Sequence, residues 1–133
     1  MTESLTFEQA EQYLLSKPET SLYYPFGDEV KVFRVKTKMF ATLALGKMGK
    51  GDGENQDWWL NLKCEPDEAI MLREIFPSII PGYHMNKRLW VTVILDGSIP
   101  QGEIERMMDN SFMLVVNKMT KKEQRSILLH IGT

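Results

Sequence analysis

Cysteine and histidine are scarce in this chain, long apolar runs are absent, and each shortage removes a class of function. Cys64 is the single cysteine, so one chain can form neither an internal disulfide nor a zinc site of several thiolates. Its plainest role is that of a small buried hydrophobe. The two histidines, His84 and His130, are far apart in sequence. A two-histidine metal site would need chance proximity, and neither residue lies in a nucleophile motif. No window approaches the ~18 apolar residues of a membrane-spanning helix. The start, Met1-Thr2-Glu3-Ser4, lacks the basic and apolar stretches of a secretory leader. A cytoplasmic protein with no membrane partner is expected. Net charge is small as well, formally −2, which supplies no overall pull toward nucleic acid or anionic lipid.

What is present has the balance of a globular domain. With 133 residues, 43% hydrophobic and 26% charged, the chain suits a single domain over residues 1–133 with one core. The charges are segregated. Residues 1–29 carry Glu3, Glu8, Glu11, Glu19, Asp28 and Glu29 against Lys17 alone, whereas residues 30–50 carry Lys31, Arg34, Lys36, Lys38, Lys47 and Lys50 with no acid. Residues 51–80 turn acidic again, and Lys118, Lys121, Lys122 and Arg125 make the end of the chain basic.

Local signals give the order of elements. Thr6-Phe7-Glu8-Gln9 is a capping box that starts a first helix, and Pro18 marks its stop. Residues 30–35 and 39–45 are rich in β-branched, aromatic and apolar side chains and predict two strands, with Thr37-Lys38 as the turn. Trp58 to Lys63 alternates as a third. Pro66, with Asp67 and Glu68 behind it, opens a second helix that runs to about Phe76. Pro81-Gly82 reads as a tight turn with glycine at positive φ, and Arg88 to Leu95 as a strand. Pro100 opens the longest helix, and Thr120-Lys121-Lys122-Glu123 is a second capping box before a short terminal one. The prediction is an α+β fold, a two-layer, mostly antiparallel sheet with helices on one face, in the order α-β3-α-β2-α-α. The other face is then left partly open to water or a partner.

Catalytic motifs are not found. The glycines of residues 46–53 fit neither phosphate-loop spacing, and Asp52, Glu54 and Asp57 lack the spacing of a calcium loop. Glu65 and Asp67 are accounted for by helix capping. Neither an enzymatic activity nor a cofactor is expected. The segment from Pro81 to Trp90 is different, for it gathers Tyr83, His84, Asn86, Lys87, Arg88 and Trp90 beside a turn. Lys87 and Arg88 can hold phosphate, Asn86 or Arg88 can read base edges, and Tyr83 can stack. Against that stands a purely structural role, in which Trp90 fills the core and His84 and Asn86 hold the turn.

Several blocks together resemble the MmcQ/YjbR family of small bacterial proteins. They are Tyr24-Pro25-Phe26-Gly27; Val32-Phe33-Arg34-Val35 leading to Lys38-Met39-Phe40-Ala41; Asn61-Leu62-Lys63-Cys64 with Pro66; Pro81-Gly82-Tyr83-His84-Met85-Asn86-Lys87; and Asp109-Asn110-Ser111-Phe112. The resemblance spans nearly the whole chain. It implies an antiparallel sheet with helices on one side, akin to type III secretion chaperones, and DNA binding through a double-wing sheet. On that view Lys31, Lys36, Lys38, Lys87 and Arg88 meet the phosphates of duplex DNA, with Asn86 nearest the bases and Tyr83 and His84 alongside. The alternative is a protein-interaction or chaperone-like module whose open sheet face receives a protein partner. Two departures from the family are visible: Leu89 precedes Trp90 where a histidine is frequent, and Lys36-Thr37 replaces a glycine-containing turn.

Overall fold

Thr6 starts the first helix through the reciprocal bonds its spacing predicts. Its Oγ1 accepts the Gln9 N–H at 3.2 Å, and the Gln9 Oε1 accepts the Thr6 N–H at 3.0 Å. From there the computed structural model describes residues 5–46, 57–83 and 85–131. The helices are α1 (Phe7–Leu15), α2 (Pro66–Ile75), α3 (Gln101–Val116) and α4 (Lys121–Ile131). The strands are β1 (Thr20–Tyr23), β2 (Val30–Val35), β3 (Lys38–Leu45), β4 (Trp58–Lys63), β5 (Ile79–Pro81) and β6 (Trp90–Leu95). They form one antiparallel sheet in the order β1-β2-β3-β4-β6-β5. The architecture is the predicted α+β sheet with helices on one face.

Three local expectations change. Four strands rather than three lie between α1 and α2, because Thr20–Tyr23 pairs with β2 as an edge strand. Its half-exposed side chains give no alternating signal, so the pairing itself defines it. Pro81 is the last residue of β5 rather than a turn corner, which suits an edge strand that needs no N–H there. Gly82 does not take a positive φ. Its constraint is proximity, since an added Cβ would lie 2.7 Å from the Trp90 Cβ. The β2–β3 loop is Lys36-Thr37, with Lys36 at φ 54. That is the left-handed position where hairpin loops favour glycine. Lys36 is held there by Glu19, whose carbonyl accepts its N–H at 3.0 Å and whose carboxylate accepts from its Nζ at 2.9 Å.

The main core lies between the sheet and the helices. Phe33, Leu43, Leu60, Leu62, Val91 and Val93 from the strands meet Leu14, Leu72, Met108, Phe112 and Ile127 from the helices. Phe40 and Phe112 pack edge-on with ring centroids 5.3 Å apart. Each such buried side chain contributes about 1.5–3 kcal/mol. A bulge at Phe40 shifts the β2–β3 register between Phe33 and Arg34. Ser111, fully buried in the apolar stripe of α3, repairs it. Its hydroxyl donates to the Phe40 carbonyl at 2.5 Å and accepts the Lys63 N–H at 2.8 Å. One side chain thus ties α3 to the start of β3 and the end of β4.

The second face of the sheet is less open than expected. The cross-strand row Val32, Thr42, Asn61 and Thr92 is buried. Residue 83 is tied to this row, with the Tyr83 N–H donating to Thr92 Oγ1 at 2.9 Å.

Candidate nucleic-acid interface

The sequence nominates eight residues for phosphate and base contacts, and the fold separates them. Lys31 lies on the helix-covered side of β2, 2.8 Å from the Glu11 carboxylate and 3.4 Å from the Tyr24 hydroxyl. The bond to Glu11 is the main reason its ammonium holds its proton more firmly than usual. Lys36 is committed to Glu19. Asn86 holds a turn, because its Oδ1 accepts the Arg88 N–H at 3.0 Å and its carbonyl accepts from Leu89 and Trp90. Lys87 donates to the Gly82 carbonyl at 3.1 Å and so closes the same loop. The Tyr83 ring packs edge-on to Trp59, centroids 5.5 Å apart. His84 lies outside the described residues. Trp90 is buried, as a core strand residue should be.

Lys38 and Arg88 remain. Both are exposed, and among the described residues neither forms an ion pair. Lys38 opens β3 at the end of the sheet where β4 finishes. There it lines a groove of about 380 Å³ with Lys63 and Lys118. The residue after Arg88, Leu89, shares a smaller hollow with Lys63, Glu65 and Lys118. The Leu89 carbonyl also accepts the Cys64 N–H at 2.8 Å, which ties the 82–89 loop to the end of β4.

Electrostatics mark the groove as a place for an anion. Burial first, and then the neighbouring Lys118, lower the proton affinity of the Lys63 ammonium. Glu123 also lines the groove and keeps its negative charge there. Its oxygen accepts from the Thr120 hydroxyl at 2.9 Å and the Thr120 N–H at 3.3 Å in the second capping box. Those bonds, then the fields of Lys36 and Lys38, depress its pKa.

Acids gather elsewhere. Glu103 occupies the first turn of α3, whereas Lys118 lies just beyond its last. Sixteen residues separate the two regions by about 24 Å. Arg106 gathers Glu68 at 2.7 Å and Glu103 at 2.5 Å at the acidic end. Asp109 accepts from the Tyr13 hydroxyl at 2.8 Å and pairs with Lys17. Burial and this carboxylate push the Tyr13 phenol up to about 12. Cys64 is buried, and that burial raises its thiol to about 11, far from a reactive thiolate.

No group of three or more potential metal ligands occurs among the described residues. No helix among them is long and apolar enough to cross a membrane.

The fold and its surfaces define an α+β domain of the antiparallel-sheet, one-sided-helix class. The family pattern described as YjbR matches residues 15–114, and the chain belongs to the YjbR family. It is similar to YbdF of Escherichia coli O157:H7, with 32% identity over 90% of this chain and 92% of that one. It is also similar to YjbR of Escherichia coli K12, with 30% identity over 96% of this chain and all of that one. Both relatives are themselves described as uncharacterised proteins. Among solved structures, a Deinococcus radiodurans protein superposes with TM-score 0.79 and 33% identity, covering 93% of this chain and 88% of that one. A Pseudomonas syringae protein follows with TM-score 0.70 and 31% identity, covering 80% and 96%.

Proposed function

We propose that the protein binds the backbone of a nucleic acid, duplex DNA in the first instance, at the basic end of its sheet. The observation that carries this is the convergence of Lys38, Lys63 and Lys118 on one groove, against the single carboxylate of Glu123 among its described lining residues. The low net charge does not oppose it, since three lysines line the groove against the one carboxylate, Glu123, among its described lining residues. Phosphates bind lysine as a point charge, and the groove offers three such ammonium groups. The face assigned on sequence grounds to DNA or to a protein partner has less to offer. Its central row is buried, and Lys31 and Lys36 are bound to carboxylates.

Titration of a fluorescent duplex at ~50 mM and ~200 mM salt tests the proposal. Three to four phosphate contacts make affinity fall roughly 40- to 150-fold across that interval. An affinity that ignores salt, or no binding at the lower salt, would overturn it.

A further inference from the structure

The second face of the sheet holds a cavity of about 320 Å³ that the basic groove does not explain. Phe26, Tyr83, Met39 and Met85 line it together with Thr42 and Asn61. Thr42 is only 5% exposed, and its hydroxyl makes no hydrogen bond among the described residues. The neighbouring Thr92 shows what a satisfied threonine looks like here, for its hydroxyl donates to the Asn61 Oδ1 and accepts the Tyr83 N–H. That bond also fixes the orientation of the Asn61 amide. Its Nδ2 gives one hydrogen to the Tyr83 carbonyl at 3.4 Å and keeps a second available. Trp59, on the same face, keeps a buried indole N–H without a partner.

The lining specifies an occupant. Among the described residues no charged side chain borders the cavity, so a charged ligand would gain little from them in return for its lost hydration. Two aromatic rings and two thioethers favour a flat, polarisable ring. A hydrocarbon would leave the Thr42 hydroxyl unpaired, which native structures avoid. The size is at the lower end for small-molecule sites, at which ~300 Å³ is typical. We infer that this cavity binds an uncharged heteroaromatic ring with a mixed donor and acceptor edge, of the nucleobase type, hydrogen-bonded to Thr42 and Asn61. Met39 lines both this cavity and the lysine groove, so a ring seated here has its substituents beside Lys38. The inference goes beyond backbone binding and rests on different residues.

Free nucleosides test it, because they carry no phosphate and therefore do not depend on the lysines. Adenosine, guanosine, cytidine and uridine are each titrated into the ¹⁵N-labelled protein. At least one gives saturable amide shifts confined to Thr42, Asn61, Tyr83, Met85 and their neighbours. Thr42→Val keeps the shape of the side chain and removes its hydroxyl, and it weakens that binding by about tenfold, the effect of one hydrogen bond. Phe26 is 60% exposed, so Phe26→Ala folds and weakens binding severalfold even where the threonine variant does not fold. No saturable shift with any nucleoside, shifts elsewhere, or unchanged binding by both variants would overturn the inference. Failure here with salt-sensitive duplex binding intact removes only the ring site, and nucleoside binding without duplex binding removes only the backbone proposal.

Discussion

Replacing Ser111 with alanine lowers the stability of the protein by roughly 2–4 kcal/mol, because two polar backbone groups lose their partner at once. The Phe40 carbonyl at the bulge and the Lys63 N–H at the end of β4 both bond this hydroxyl, and the residue is fully buried in the helix–sheet interface. Alanine leaves too little space for a water to replace the hydroxyl, so both groups stay buried and unsatisfied. Urea unfolding reads the change as a lower midpoint with an unchanged slope. A loss under about 0.5 kcal/mol would mean that the bulge is satisfied in some other way. Since the same hydroxyl fixes the start of β3 to the end of β4, the variant also loosens the spacing of Lys38 and Lys63.

The double reversal Lys38→Glu with Lys118→Glu weakens duplex binding by roughly 100-fold or more at low salt, since each change removes a phosphate contact and adds a repulsive charge. Both side chains line the groove, and neither has an ion pair among the described residues, so little native structure is lost. Lys31→Gln is the matched control. That ammonium is held by Glu11 on the other side of β2, so its loss changes affinity by less than about twofold. An effect per unit of charge removed that is as large for the control as for the double reversal would show that only total charge matters and that the groove is not the site.

Much of the fold was legible because its signals are local. Both capping boxes, Pro66 at the head of α2 and the apolar stripe of α3 are each set within a few residues. β1 was not legible, since Thr20–Tyr23 becomes a strand only by pairing with β2 across a loop. The candidate site was legible in part. Lys38 and Arg88 stand where a cation-rich stretch suggests, but Lys31 and Lys36 face acids from α1 and from the residue before β1. Proximity in sequence carried no information about those partners. Asn86 and Lys87 are exposed polar residues by composition and turn-forming residues by geometry. Lys63 and Lys118 were missed for the converse reason, as each is an ordinary final cation of its element until the fold places them together. Ser111 carried a usable signal, a hydroxyl inside an otherwise apolar helical stripe, which implies a buried partner.

The same geometry reconciles a formally acidic protein with an anionic ligand. A phosphate backbone responds to the nearest charges within a Debye length of about 8–10 Å, and in the lining of the groove Lys38, Lys63 and Lys118 outnumber the carboxylate of Glu123. Local field rather than net charge then governs binding.

The most direct measurement is an amide chemical-shift map of the ¹⁵N-labelled protein during titration with a short duplex at low salt. The perturbed residues should fall at 36–38, 63–64, 86–89 and 118–122, and the shifts should fade as salt is raised. Perturbations spread over α1 and α2, or none at all, would contradict a backbone-binding site at the basic end of the sheet.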